Sequence, residues 1–194
     1  MRKIILSVLI SCSLMSARAA LFQYSVTLDA PTGVVSPGVG SGTVDYDSTA
    51  HTLALSVTFS GLVGTTTASH IHAPTTTPFT GTAGVATTTP SFALFPLGVS
   101  SGSFANTLDL TLASSYNPSY VTANGGTPAT AEVALAAAMA AGRAYWNIHS
   151  SFAGGGEISG FLTPVPEPST LALAGIAVVG LAARAWNKRR ASKA

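Results

Sequence analysis

Apolar and polar side chains alternate one for one along several short stretches of this chain. Residues 22–28 place every second side chain, beginning with Phe22, on one apolar face, and residues 52–60 and 104–112 repeat the pattern. A period of two residues indicates a β-strand with one buried face and one solvated face. Residues 42–47 add a shorter stretch of the same kind, followed by a polar turn.

Shorter apolar segments predict further strands at 68–73, 83–86, 92–97, 143–149 and 157–162. Seven or more short strands separated by turns are typical of an antiparallel β-sandwich. One alanine-rich segment differs, since Thr127 and Pro128 begin it and Gly142 ends it. We expect residues 128–141 to form one short helix.

Charge is concentrated at the two ends of the 194-residue chain. Between Ala20 and Pro166 there are six acidic residues and one basic residue, Arg143, so this body carries a charge of −5. A nucleic-acid surface needs a basic stripe, so nucleic acid is excluded as a partner. The single cysteine, Cys12, precedes the body, which therefore has neither a disulfide nor a thiol nucleophile.

Residues 1–19 have the pattern of a secretory signal peptide. A basic start is followed by an apolar stretch and a small-residue cleavage site that ends at Ala19. The alternative is lipoprotein processing at Cys12, which follows Leu-Ile-Ser.

Residues 165–190 read VPEPSTLALAGIAVVGLAARAWNKRR. The apolar run from Leu171, extended to Trp186, approaches the thickness of a bilayer core and predicts a C-terminal transmembrane helix. A buried core helix is the alternative, but the basic residues that follow favour a membrane helix with a cytoplasmic end. These residues, called the basic tail below, are Arg184, Lys188, Arg189 and Arg190.

Pro166, Glu167 and Pro168, followed by the apolar run and the basic tail, resemble the PEP-CTERM sorting signal. Gram-negative bacteria that make extracellular polysaccharide use this signal. The resemblance implies that residues 164–194 form a sorting signal, which an exosortase-type membrane enzyme recognises and cuts near Pro166, Glu167 and Pro168. It also implies export, transient anchoring in the inner membrane, delivery to the cell surface or extracellular matrix, and association with exopolysaccharide.

Three histidines are the candidate chemistry of the body. His70 and His72 flank Ile71, and side chains two residues apart on a strand lie on the same face. His149 ends the later segment AYWNIHS. Imidazoles suit zinc or copper, and three convergent ones with an open position form a catalytic type of site. The alternative is a set of partly buried histidines bonded to backbone or hydroxyl groups. The fourth histidine, His51, lies in a predicted turn and is expected to be solvated.

The segments HIHAP, GRAYWNIHS and GGGEISG resemble the motifs of the CHRD domain, named for chordin and present in many exported bacterial proteins. The resemblance implies an all-β, antiparallel sandwich of Greek-key or immunoglobulin-like type over residues 20–163. Ala73 and Ser159 stand where the family usually has glycine and arginine. The matching positions are Gly142, Tyr145, Asn147, His149, Gly156, Glu157, Ile158 and Gly160.

Other constellations are weaker. Asp45 and Asp47 share an outward face that could touch calcium, although such pairs are more often solubilising. Tyr116, Tyr120 and Trp146 could stack on sugars, although the alternation places Trp146 in the core. The chain has no phosphate-binding loop and no Ser-His-Asp pattern.

We interpret the chain as a non-enzymatic, exported β-sandwich protein of the cell surface or matrix, with a structural or adhesive role. The alternative is a domain that binds zinc or copper through His70, His72 and His149. A metalloenzyme is the third hypothesis. Cu/Zn superoxide dismutases share the His-x-His pair on a β-sandwich, but their bridging histidine and disulfide are not found here.

Overall fold

The computed structural model describes residues 21–166. The predicted signal peptide, the predicted transmembrane helix, Glu167, Pro168 and the basic tail lie outside the described residues. No helix among residues 21–166 is long and apolar enough to cross a membrane.

The chain forms two antiparallel sheets, which confirms the predicted all-β sandwich. The strands are β1 (Leu21–Leu28), β2 (Val39–Asp47), β3 (Thr52–Ser60), β4 (Thr66–His72), β5 (Gly102–Asp109), β6 (Tyr145–Ser150), β7 (Ile158–Phe161) and β8 (Thr163–Pro164). The first three strands make a meander, β4 crosses to the second sheet, β5 returns, and β6 and β7 complete the second sheet. The strand orders are β5-β3-β2-β1-β8 and β4-β6-β7.

The helical segments lie between β5 and β6. A 3₁₀ turn at Ala113–Ser115 is followed by α1 (Pro118–Ala123) and α2 (Pro128–Ala140). The prediction of α2 is confirmed, since the Thr127 side chain caps it by accepting a hydrogen bond from the Thr130 amide. The shorter α1 was not predicted, because six residues carry too little periodicity to distinguish a helix from a loop.

The two-residue alternation correctly predicts most of the core. The apolar faces of β1, β2 and β3 are buried, but Phe22 and Leu112 are 47% and 52% exposed. Phe22 lies near the outer end of β1 and stacks on Tyr46, with 5.9 Å between ring centroids. Leu112 falls beyond the end of β5, where the chain leaves the sheet, so alternation no longer places its side chain inward.

The strands predicted at 83–86 and 92–97 are wrong. This segment runs beside the free edge of β4 without forming a continuous ladder. Ala86 donates to the Ile71 carbonyl at 2.9 Å and Phe92 donates to the Ser69 carbonyl at 3.1 Å, with turns between them. Pro90 lies between these contacts and has no N–H to extend the pairing. The result is a loop that covers the edge strand.

The hypothesis that three aromatic rings stack on sugars is wrong, because all three are buried, whereas the prediction that Trp146 lies in the core is confirmed. Tyr116, Tyr120 and Trp146 are 2%, 6% and 0% exposed.

The carboxylate of Asp47 accepts from two amides of the β2–β3 turn, at 2.8 and 2.9 Å, so it acts as a turn cap.

His51 is half exposed, and it is also bonded, contrary to the expectation of a simply solvated side chain. Its Nδ1 lies 2.9 Å from the buried Glu132 carboxylate, which also accepts from the Tyr46 hydroxyl at 2.8 Å. This contact joins α2 to the first sheet.

Candidate metal site

The three predicted histidines lie on the outer face of the smaller sheet. His70 and His72 belong to β4, and His149 belongs to the antiparallel neighbour β6. The register pairs His70 with Asn147 and His72 with Tyr145, so these side chains share one face. Between the histidines, Ile71 points to the core and is fully buried. The structure therefore brings all three histidines together. The sequence alone does not show that His149 lies beside the other two.

Each ring is held by a backbone carbonyl from a covering loop. His70 Nε2 lies 2.5 Å from the Pro90 carbonyl, and His72 Nδ1 lies 2.9 Å from that of Ala83. His149 Nδ1 lies 2.9 Å from the carbonyl of Gly154. A carbonyl only accepts hydrogen bonds, so each of these ring nitrogens carries the proton. In the neutral rings, the lone pairs are on His70 Nδ1, His72 Nε2 and His149 Nε2.

These three lone-pair nitrogens converge on one point. One ring nitrogen from each histidine lies within 4.8 Å of one from each of the others, and His70 Nδ1 is 3.3 Å from His149 Nε2. His72 Nε2 is buried and has no hydrogen-bond partner. Two nitrogens bound to a tetrahedral zinc at about 2.0–2.1 Å are about 3.3–3.4 Å apart. The closest pair already has this separation, and the longest needs to contract by at most about 1.5 Å.

The surroundings keep two of the rings neutral. The pKa of His70 falls to about 4, mainly because burial penalises the charged ring, with a smaller contribution from the neighbouring histidines. Burial also lowers the pKa of His72. The carbonyl contacts oppose both shifts without cancelling them. Neutral imidazole is the form that binds a metal ion.

Access to the cluster is from one side. His70 and His72 are buried, whereas His149 is partly exposed. Tyr145 covers one face of the His72 ring by stacking on it, with ring centroids 4.8 Å apart and an interplanar angle of 12°. The three carbonyl partners were missed by sequence reasoning, since a backbone carbonyl leaves no signature in residue type, whereas Tyr145 was named there as a motif position without its contact to His72.

Glu157, singled out by its family motif, lies apart from the histidine cluster. It is fully buried and accepts four hydrogen bonds. Its partners are the Ser36 hydroxyl at 2.6 Å, the Val63 amide at 2.5 Å, the Gly64 amide at 3.2 Å and the Ser150 hydroxyl. Burial alone raises its pKa, but these donors outweigh it and the pKa is lowered. The residue is a structural anion that ties three segments together.

The remaining motif positions shape the loop beside His149. The Asn147 amide donates to the Gly155 carbonyl at 3.0 Å. Gly156 has a φ of +123°, and a Cβ there would lie 2.0 Å from the Asn147 side chain. At Gly160 a Cβ would lie 1.8 Å from the Thr27 carbonyl. Both glycines are therefore required by packing. Pro166, the first residue of the sorting tripeptide, is exposed at the end of the described residues.

A family model for the CHRD domain matches residues 22–162. The chain belongs to the CHRD domain family. A second model, for the PEP-CTERM protein-sorting motif, matches residues 164–190. Both resemblances seen in the sequence are thus confirmed. Comparison with curated proteins and with solved structures gives no match.

The second matched segment indicates how this CHRD protein is processed and where it is delivered. A PEP-CTERM motif implies processing by an exosortase-type membrane enzyme, export and delivery to the cell surface. The protein is therefore an exosortase-sorted extracellular protein.

Proposed function

We propose that the CHRD domain is a non-enzymatic surface module that binds one zinc or copper ion. The ligands are His70 Nδ1, His72 Nε2 and His149 Nε2. The observation that carries the proposal is the buried, unpartnered His72 Nε2, which faces two other lone-pair nitrogens. Buried polar atoms normally have partners, so such an atom calls for an explanation.

A purely structural role accounts less well for the cluster. Two lone pairs 3.3 Å apart repel each other, and a proton between them would relieve only one pair. Burial also disfavours that proton on His70. A metal ion satisfies all three nitrogens at once. The carbonyl bond on the other side of each ring is the outer-shell arrangement that orients metal-bound histidines.

The surroundings of the cluster favour holding an ion over catalysis. Among residues 21–166, the group of potential ligands contains histidines alone. The carboxylate of Glu157 is fully used by four donors, so it is not available as a general base. This supports a role in metal binding rather than in metal-dependent hydrolysis.

Metal binding is tested on the full chain in a mild detergent, stripped with a chelator and then given zinc or copper(II). Elemental analysis after desalting should find one ion per chain. The His70→Ala/His149→Ala double variant should lose it. His51→Ala is the matched control, because this histidine bonds to Glu132 and should not affect the ion. Equal retention by the double variant and the parent chain would refute the site, provided circular dichroism shows both folded.

A second candidate function is association with exopolysaccharide, which a neighbouring cleft favours. The cleft has a volume of about 570 Å³ and no charged side chain in its lining. Threonine and serine hydroxyls line it together with Phe79 and Phe161, whose centroids are 6.1 Å apart. Phe79 is 55% exposed. Hydroxyls beside an exposed aromatic ring suit an uncharged sugar unit, which has polar edges and an apolar face.

Sedimentation with insoluble neutral polysaccharide measures this second function. The parent chain should pellet, and Phe79→Ala should reduce the bound fraction severalfold. Phe152→Ala changes an equally exposed phenylalanine outside the cleft lining and should have no effect. Equal binding by all three proteins would contradict the role of the cleft.

We also infer that anchoring in the inner membrane is transient and precedes exosortase cleavage. The support is the position of the matched motif directly after the domain. Pulse-labelling with fractionation should show a membrane-bound precursor that gives way to a shorter surface form. A precursor that never shortens would contradict this order of events.

A further inference from the structure

We propose that the metal ion at the histidine cluster takes a carboxylate from outside the domain as its fourth ligand. This inference rests on the proposed metal site and names the chemistry of the group that the site would bind.

The cluster itself offers no negative charge to balance a divalent metal ion. The three ligands are neutral imidazoles, and the atoms that hold them are neutral carbonyl oxygens of Pro90, Ala83 and Gly154. No carboxylate joins the cluster among the described residues. A divalent ion would keep its full charge beside two buried rings. The cost of moving a charge out of water rises steeply with that charge, so an anion in the fourth position strongly stabilises the ion.

Four of the six carboxylates of the domain already have partners. Glu157 accepts four hydrogen bonds, and Glu132 pairs with Tyr46 and His51. Asp47 and Asp109 each accept from amides of their own turns. None of these four side chains is spare to complete the site, and the other two acidic residues, Asp29 and Asp45, are not part of the group of potential ligands around the histidines. A ligand from outside the domain is the simplest source of the missing negative charge.

A group from outside the domain can reach the fourth position of an ion held by the three histidines. Three ligands from one face of a sheet leave the fourth tetrahedral position pointing away from that sheet. His149 is the partly exposed member of the three, so the way out passes its ring. The loop that holds His149 contains Gly154 and Gly155, and a Cβ added at either would meet nothing within 4 Å. Open space therefore adjoins the Gly154–Gly155 loop at the Nδ1 edge of His149, and an external group can approach past this partly exposed ring.

The charge of the domain makes binding of a carboxylate depend on the metal ion. The domain between Ala20 and Pro166 has a net charge of −5, so it has no general attraction for anions. Any carboxylate affinity should therefore depend on the bound metal. An oxygen anion is also a suitable companion for imidazoles on zinc or copper(II). The shared chemistry is a carboxylate, whether it comes from a small acid or from an acidic sugar of the surface polymer.

The experiment uses the full chain in a mild detergent, loaded with one copper(II) per chain. Acetate and glucuronate are titrated at constant ionic strength, and the visible absorption and electron paramagnetic resonance spectra are recorded. Both should give a saturable change with one anion per copper. The methyl ester of glucuronate, which lacks the charge, should give none. The metal-free chain should bind neither acid.

A second readout follows from linkage. At an anion concentration ten times its dissociation constant, the apparent affinity of the chain for copper, measured against a competing chelator, should rise about tenfold. Saturation by both acids supports any carboxylate source, and a much stronger effect of glucuronate identifies a sugar acid. If copper is retained but no spectrum changes, the inference is overturned and the metal site stands. If copper is not retained at all, the metal site itself fails, and the inference fails with it.

Discussion

Replacing Glu157 by glutamine should destabilise the domain strongly although it removes no heavy atom. The carboxylate of Glu157 accepts from two backbone amides, Val63 through Oε1 and Gly64 through Oε2. Glutamine has one oxygen and one NH₂ group, so one of these amides must face a donor. The Ser36 hydroxyl can rotate to accept, but Ser150 Oγ already accepts from the amides of Phe152 and Ala153, and a backbone N–H cannot accept at all.

The magnitude follows from what is lost at a fully buried position. A hydrogen bond to a charged group contributes about 1.5–3 kcal/mol, and leaving a buried donor unpaired costs about 1–3 kcal/mol. These figures partly describe the same loss, so we expect about 3 kcal/mol at pH 7. The lowered pKa makes this stability present above the unfolded value of 4.5 and lost as the pH falls through the folded value. The difference between the two proteins should therefore narrow in acid.

Urea unfolding of the full chain in non-ionic detergent, followed by circular dichroism, gives the free energies. Glu132→Gln is the matched control, because this buried carboxylate bonds to the Tyr46 hydroxyl and the His51 ring. Both partners can reverse their roles, so the control should lose less than about 1 kcal/mol. A Glu157→Gln protein within about 0.5 kcal/mol of the parent would refute the reasoning, since the amides would then have found other acceptors.

Two further predictions come from the structure, and a third comes from the sequence of the basic tail. In the metal-free chain, His70 has a folded pKa of about 4 against 6.5 unfolded, so the unfolded state binds the proton first as the pH falls. Stability should therefore drop by about 2 kcal/mol between pH 7 and pH 5 in urea titrations, and His70→Gln should flatten this dependence. Gly156→Ala should cost about 3 kcal/mol in the same assay, from its positive φ and the clash with Asn147, whereas Gly155→Ala, with open space around it, should stay within about 0.5 kcal/mol. Neutral replacements in the basic tail should leave a precursor in the membrane fraction without changing the thermal melt, and normal surface delivery would count against the sorting role.

The fold was predictable wherever the side chains themselves carry the period of the strand. β3 has the predicted bounds, Thr52–Ser60, because its apolar residues alternate without interruption. The segment after β4 failed for the opposite reason. Phe92 and Phe95 are buried as apolar residues should be, but their backbone follows turns and makes only isolated contacts with β4. Apolar content predicts burial there, and it does not distinguish a strand from a covering loop.

The candidate site was predictable only in part, for a related reason. The spacing of His70 and His72 places both rings on one face of any strand, whatever its partners. The position of His149 depends on the register of β6 against β4, which pairs His149 with Ala68. Register is set by the packing of whole sheets and by the turns between strands, so one sequence does not reveal it. The carbonyl bonds that fix the ring tautomers depend on loop conformation and have no sequence pattern.

The motif residues first considered as site residues are better understood as the framework that positions His149. Asn147 holds the Gly155 carbonyl, and Gly156 allows the close approach that this contact needs. Glu157 donates its amide to the Ile148 carbonyl and binds the Ser150 hydroxyl, so it fixes β6 on both sides of His149. The loop held in this way supplies the Gly154 carbonyl that orients the His149 ring. His70 and His72 are oriented by a different loop, so damage to this framework should displace one ligand and leave the other two in place. The motif is therefore a device for preorganising the exposed ligand, whose ring needs this support because burial does not supply it.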